Sequence, residues 1–248
     1  MKILIFLIFI FIFKNRILLF GHLFYLVSKD LIHNLIHKKK LHIYGIRLIC
    51  GLYGQGKTMA LTQYLTSMRE KHGDKIIIMT NYGFAYEDSP LSSWQQMLPE
   101  YDKPVIFGYD EIQNEFNSRD FKNFPPELLQ LLTQNRKGNG KLIIGTAQRY
   151  GRVDKVFREL CSHVAECRTF LGRYTRVKWY DWADYEMLIN TVDTRQKFKI
   201  KASSVIRFCQ TDKLRNAYDS FQMLNSAKSK SYLTLEERAM KSQINNAL

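Results

Sequence analysis

An α/β fold, with a parallel sheet and helices on both its faces, is what this sequence predicts. Three observations carry that reading. A glycine-rich loop joins a short apolar run to a helical segment, a second apolar run closes on two adjacent carboxylates, and a third closes on Thr146-Ala147-Gln148. Strands alternating with helices imply a parallel sheet, and ligands of such sheets collect at the carboxyl ends of the strands. A membrane helix is expected before the sheet and a small β-rich, mixed extension after it. The expected segments are 1–44 (membrane segment and basic juxtamembrane stretch), 45–165 (the sheet core), 166–224 (the basic extension) and 225–248 (a polar tail).

The first element is Ile46–Cys50, a short apolar strand. It runs into Gly51-Leu52-Tyr53-Gly54-Gln55-Gly56-Lys57-Thr58, which satisfies the phosphate-loop pattern G-x-x-x-x-G-K-[ST] in full. Met59–Arg69 then reads as a helix, with good formers and neither Gly nor Pro. Glycines allow such a loop to turn its backbone N–H groups onto phosphate oxygens, and the helix N-terminus adds positive potential. The nucleotide-binding set is therefore Gly51, Tyr53, Gly54, Gln55, Gly56, Lys57, Thr58 and Met59. ATP and Mg²⁺ are the expected ligands, with Lys57 reaching the β- and γ-phosphates and Thr58 ligating the metal.

A phosphate loop needs an acid at the end of another strand. Pro104-Val-Ile-Phe-Gly-Tyr109 supplies the strand and Asp110-Glu111 its end. Asp110 is expected in the Mg²⁺ shell and Glu111 as the general base toward water. Gly108 interrupts the large apolar residues there and suggests close approach of a neighbouring backbone. Two further strands are read at Lys75–Met79, closing on Thr80-Asn81, and Lys141–Gly145, closing on Thr146-Ala147-Gln148. Gln148 is placed to sense the γ-phosphate or to orient water. Helices are expected between the strands, notably Pro125–Asn135, with proline at its start, leucines along one face and Gly138 beyond its end. A motor of this kind takes a cation onto the γ-phosphate, often from a neighbouring subunit. Arg136, Arg158 and Arg149 are the candidates, in that order for the first two.

Charge divides the chain more sharply than its average suggests. The 37 Lys and Arg exceed the 23 Asp and Glu, for a net charge of +14. Residues 1–50 hold eight basic side chains against one acidic, residues 51–139 nine against eleven, and residues 140–248 twenty against eleven. The middle is near neutral and the flanks are basic, which points each flank at an anionic partner. With 46% hydrophobic residues, wholesale disorder is excluded. Four cysteines without a Cys-x-x-Cys pair fit a reduced, intracellular protein, and His33, His37 and His42 have no carboxylate or cysteine to complete a metal set.

Ile3–Phe13 and Ile17–Val27 are apolar runs separated by Lys14, Asn15 and Arg16. Each alone makes roughly 17 Å of helix, too little for a hydrocarbon core of about 30 Å, whereas the two joined suffice. No small-x-small cleavage site follows, so a removed signal peptide is disfavoured. Lys29, Lys38, Lys39, Lys40 and Arg47 lie downstream, which by the positive-inside rule leaves the rest of the chain in the cytoplasm. One crossing and two short re-entrant runs both remain compatible with this pattern. Leu31, Ile32, Leu35 and Ile36 ahead of three lysines suit an amphipathic helix on an anionic leaflet.

In the second half, residues 163–182 alternate like strands around a turn at Gly172. Arg168, Arg173, Arg176 and Lys178 interleave with Phe170, Tyr174, Trp179 and Tyr180. That mixture suits phosphates and stacked bases, and equally a solvated edge hairpin. Arg195–Lys201 alternates in the same way and reads as a further strand. A short helix, Thr234–Met240, is expected in the tail.

The order of motifs resembles a known family. Gly-Leu-Tyr-Gly-Gln-Gly-Lys-Thr, Thr80-Asn81, Tyr109-Asp110-Glu111-Ile-Gln113, Thr133-Gln-Asn-Arg136 and Ile143-Ile-Gly-Thr-Ala-Gln148 are similar to those of the zonular occludens toxin-like family, with a weaker echo at Tyr218-Asp219-Ser220. The resemblance covers about residues 45–165. It implies an oligomeric, ring-forming ATPase of the host inner membrane, its ATPase domain in the cytoplasm. The implied work is assembly and extrusion of a filamentous phage with single-stranded DNA, alongside phage coat or export proteins. Two other functions fit the residues: a duplex-packaging or conjugative DNA motor, and a nucleotide-binding membrane scaffold.

Overall fold

A computed structural model describes residues 2–36, 41–116 and 126–218. It separates into two compact units, Met1–Leu41 and His42–Leu248. The tail expected after residue 225, with its Thr234–Met240 helix, and Asp219 of the Tyr-Asp-Ser element lie outside the described residues, as does Pro125.

The first unit is one helix, α1 (Lys2–Ile36), 35 residues long. It runs without interruption through Lys14, Asn15 and Arg16. At 1.5 Å per residue it extends roughly 52 Å. Leu19, Leu23, Phe24 and Leu35 are exposed along it. Side chains of residues 1–15 lie outside the described set, and among the described residues no helix is long and apolar enough to cross a membrane.

The second unit is built on one eight-stranded sheet. Its first strand is β1 (Gly45–Cys50), and α2 (Lys57–His72) follows the loop. Next come β2 (Ile77–Thr80), the two-residue β3 (Ser89–Pro90) and β4 (Val105–Tyr109). Then α3 (Pro126–Thr133), β5 (Lys141–Ala147) and α4 (Lys155–Glu159) lead to the hairpin β6 (His163–Phe170) and β7 (Tyr174–Asp181). The described chain closes with α5 (Trp182–Asn190), α6 (Thr194–Lys197), β8 (Ser204–Cys209) and α7 (Asp212–Arg215). The strand order is β3-β2-β4-β5-β1-β6-β7-β8. Pairing is parallel from β3 through β6 and antiparallel from β6 to β8.

Register divides the core between two faces. Ile49, Ile78, Ile106 and Ile144 share the face of Gly108, where Leu61 and Leu65 of α2 are fully buried. Each such leucine contributes about 1.5–3 kcal/mol. Ile46, Leu48, Phe107, Ile143 and Val164 occupy the other face and cluster with Leu128 and Leu132 of α3, Phe157 of α4 and Tyr185 of α5. Helices therefore cover both faces, as the strand–helix alternation predicts.

Several details differ from the sequence reading. Gly108 admits side chains rather than backbone, since a Cβ there would sit 3.1 Å from both Leu65 Cδ1 and Thr80 Cγ2. The connection from β2 to β4 holds β3 and a 3-10 turn at Trp94–Met97 in place of an α-helix. Arg195–Lys201 is not a strand. Asp193 caps α6 by accepting from the Arg195 N–H at 2.8 Å; Phe198 is exposed, and Ile200 packs partly against the core without joining a strand. The third strand of the extension is β8, which carries no strict apolar–polar alternation. The segment boundary at 165/166 falls inside β6, so extension and core share one continuous sheet.

Candidate active site

The phosphate loop links β1 to α2 at the carboxyl edge of the sheet. Its start is fastened by the Gly51 N–H to the Ala147 carbonyl of β5, at 3.2 Å. Gly54 and Gly56 both have left-handed backbones, with φ of 71° and 78°. Gly56 is the N-cap residue of α2 and brings no side-chain cap, which leaves the first-turn N–H groups available to an anion. A Cβ on Gly56 would stand 2.4 Å from Thr169 Oγ1, so this position is closed to any other residue. Lys57 is buried, its Nζ donating to the Leu52 carbonyl at 3.3 Å and lying 5.7 Å from the centre of the Tyr53 ring.

Because β5 lies between β1 and β4, three strand ends converge beside this loop. Thr58 Oγ1 donates to both carboxylate oxygens of Asp110, at 3.0 and 3.1 Å. Thr146 Oγ1 donates to Asp110 Oδ1 at 2.6 Å and accepts from the Glu111 N–H at 2.9 Å. Asn81 grips the Asp110 backbone from β2, accepting its N–H at 2.7 Å and donating to its carbonyl at 3.0 Å. Burial pushes the Asp110 carboxyl above its ordinary range. The Thr146 and Thr58 hydroxyls oppose that rise, Glu111 adds to it and Lys57 opposes it.

Glu111 has a left-handed backbone, φ 50°, rare for a residue with a Cβ and typical of sites that hold strain. Two amides hold its carboxylate: Gln148 Nε2 donates to Oε1 at 3.0 Å and Gln113 Nε2 to Oε2 at 3.3 Å. Arg152 in turn donates to Gln148 Oε1 at 3.1 Å. Thus Thr58, Asp110, Glu111 and Gln148 are brought together with the loop. Thr146, Asn81, Gln113 and Arg152 join them, though the sequence reading gave them no such role. A usable signal existed for two of these, since Gln113 sits two residues after Glu111 and Arg152 four after Gln148.

Of the three arginine-finger candidates, Arg136 and Arg158 are engaged by other groups of their own chain. Arg136 lies in the turn before β5, its guanidinium 5.6 Å from the Tyr44 ring centre, at the amino edge of the sheet. Arg158 is engaged by Glu186 at 3.8 Å, by the Val153 carbonyl at 3.1 Å and by the Tyr150 ring. Arg149 is exposed next to Gln148. None of the three is hydrogen-bonded or ion-paired to Asp110 or Glu111 of its own chain.

Thr58 and Asp110 present a hydroxyl and a carboxylate side by side, the hard oxygen donors that Mg²⁺ accepts. Among the described residues no group of three His, Cys, Asp or Glu side chains could hold a metal ion. Mg²⁺ at this place would complete its shell with phosphate and water, its usual habit. Asp110→Asn is expected to raise the unfolding midpoint of the nucleotide-free protein at neutral pH. The folded state holds the wild-type carboxyl above its unfolded pKa, so ionising it costs stability as pH rises through that value. The gain should shrink as pH falls and the aspartate takes up its proton. A thermal melt series across pH checks this, and an unchanged or lower midpoint at neutral pH would refute it.

A glycine loop between a buried strand and its helix, with paired acids one strand beyond its neighbour, defines a P-loop nucleoside triphosphatase fold. The zonular occludens toxin (Zot) family matches residues 28–226, and the chain belongs to that family. Among solved structures, the N-terminal domain of zonular occludens toxin from Neisseria meningitidis is similar over 71% of this chain and 100% of its own, at 19% identity and a TM-score of 0.47. The genome packaging NTPase B204 from Sulfolobus turreted icosahedral virus 2, in complex with ATP-gammaS, is similar over 70% of this chain and 94% of its own, at 13% identity and a TM-score of 0.42. EccC (ATPases 2 and 3) from Thermomonospora curvata is similar over 56% of this chain and 35% of its own, at 11% identity and a TM-score of 0.38. No curated protein matches the chain significantly.

Proposed function

We propose that this chain is a membrane-anchored ATPase that hydrolyses ATP to drive assembly and extrusion of a filamentous, single-stranded DNA phage. The observation that carries the enzymatic part is the Glu111 carboxylate, held by Gln148 and Gln113 beside the Thr58–Asp110 pair. The loop N–H groups and Lys57 bind the triphosphate. Thr58 and Asp110 hold Mg²⁺, which supplies charge neutralisation on the phosphates when bound. Glu111 takes the proton of the attacking water, and Gln148 keeps its carboxylate aimed.

Anchoring rests on α1 and the lysines at 38, 39 and 40, which favour the host inner membrane with the ATPase in the cytoplasm. Since neither Arg136 nor Arg158 is bonded to the acid cluster of its own chain, a ring of subunits would bring one of them to a neighbour's γ-phosphate. Membership of the Zot family supports a place in phage assembly, beside coat or export proteins.

The full chain in detergent micelles is expected to hydrolyse ATP, with several-fold stimulation by circular single-stranded DNA and less by duplex. Stronger stimulation by duplex would replace this reading with a duplex-packaging motor. Nucleotide binding without hydrolysis would replace it with a scaffold.

A further inference from the structure

The basic extension has two chemically distinct faces, and register assigns each residue to one of them. On the first, Cys167 Sγ donates to the Gln55 carbonyl at 3.0 Å and the Thr169 N–H donates to Gln55 Oε1 at 3.3 Å. The Thr169 and Thr175 hydroxyls meet at 2.9 Å, and Gln210 Nε2 donates to Thr175 at 2.8 Å. This face seats the phosphate loop. Trp179 belongs to it and is buried. Tyr180, on the opposite face, is buried in the core beside Tyr185, and Arg173 is paired with Asp212 at 2.8 Å. Burial withdraws the two aromatics from any external ligand, while Arg173 stays at the surface with Asp212 as its partner.

The second face is different. Arg168 stands directly opposite Arg176, and Arg176 directly opposite Arg207. Three arginines thus form one row across β6, β7 and β8, at a strand spacing of about 4.8 Å. Like charges directly opposite destabilise a sheet. The row has no internal compensation: among the described residues none of these arginines forms an ion pair. Lys178 extends it along β7, opposite Val205 on one side and Glu166 on the other. Glu166 is the one acid on this face of the three strands. Phe170 sits between two guanidiniums, 5.1 Å from that of Arg168 and 5.5 Å from that of Arg176, with Tyr174 exposed beside it.

We propose that this face, the Arg168–Arg176–Arg207 row around Phe170 and Tyr174, is a binding surface for single-stranded nucleic acid. Phosphate spacing suits a row of guanidiniums, while an aromatic lying among them offers a plane for an unpaired base. Duplex bases are already stacked and have no use for that ring. A lipid leaflet would match the charge, and Leu171 and Val205 are exposed nearby, but the face sets its two aromatics among guanidiniums, an arrangement that suits bases between phosphates better than acyl chains. The polymer and the nucleotide then occupy opposite faces of the same two strands, β6 and β7. The inference deepens the DNA-motor reading by giving its polymer an address.

The test is fluorescence anisotropy of the full chain in detergent micelles, without nucleotide, against a labelled 30-nucleotide oligo-dT across a salt series. Arg168→Gln/Arg176→Gln/Arg207→Gln is expected to weaken binding at least tenfold and to flatten the log–log salt slope by about 2. Its unfolding midpoint is expected to hold or rise, because the repulsion is gone. Arg207→Glu, on the exposed edge strand, guards against a folding defect in the triple variant and should also lose at least tenfold. Phe170→Leu is expected to lose roughly five- to fifty-fold with an unchanged salt slope. Wild-type affinity in the triple variant or in Arg207→Glu would overturn the proposal. So would binding of anionic vesicles, but not oligo-dT, that the triple variant abolishes, which would assign the row to a membrane surface. A chain that binds oligo-dT through this row yet never hydrolyses ATP sinks the ATPase reading alone, and the converse result sinks this one alone.

Discussion

Glu111→Gln is expected to cut ATP turnover by about 10²–10⁴-fold, the usual worth of a general base, with ATP still bound. The substitution keeps shape and removes the ability to take a proton. Its fit can be argued from the neighbours. Gln148 Nε2 continues to donate to the new amide oxygen, as it does now to Oε1 at 3.0 Å. The new amide nitrogen then faces Gln113, whose own Oε1 is buried without a hydrogen-bond partner. Rotation of the Gln113 amide turns that oxygen toward the new donor, so the cluster remains satisfied and the fold persists. Single-turnover hydrolysis and a nucleotide-binding titration on the same sample separate chemistry from binding. Turnover within a few fold of wild type would remove Glu111 from the role of base.

Lys57→Ala should act on binding first. The ammonium is buried and, without nucleotide, rests on the Leu52 carbonyl at 3.3 Å. A triphosphate offers it a stronger, charged acceptor. Hydrogen bonds to charged groups contribute about 1.5–3 kcal/mol, so ATP affinity is expected to fall roughly 10- to 100-fold and turnover to fall further. Titration with a fluorescent ATP analogue measures the first effect. An unchanged affinity would mean that Lys57 stays on Leu52 and never reaches phosphate.

The chemistry of this site was more legible in the sequence than its scaffold. Gly51–Thr58 and Asp110-Glu111 depend on local patterns, a loop between strand and helix and a strand ending in acids. Such patterns survive in one dimension. Thr146 and Asn81 reach Asp110 and Glu111 only through the order β2-β4-β5-β1, which no local period encodes. The same holds for the Gln55–Cys167 contact, made across 112 residues of chain. Alternation misled at Arg195–Lys201, where Asp193 offered a helix cap that weighs more than a charged–apolar rhythm whose Phe198 is left exposed. It served well at residues 163–182, because both strands there have a buried side.

The four cysteines are set so that the chain brings its own spectroscopic handle. Cys50 and Cys167 are buried, and burial pushes each thiol up to about 12; Cys161, equally enclosed, is pushed well above its ordinary value. Thiolate is the species that a maleimide captures, so these three stay silent at neutral pH. Cys209 is exposed at the end of β8, directly opposite Tyr174. A dye on the unaltered protein therefore goes to the rim of the arginine row, where its emission reports on whatever settles there.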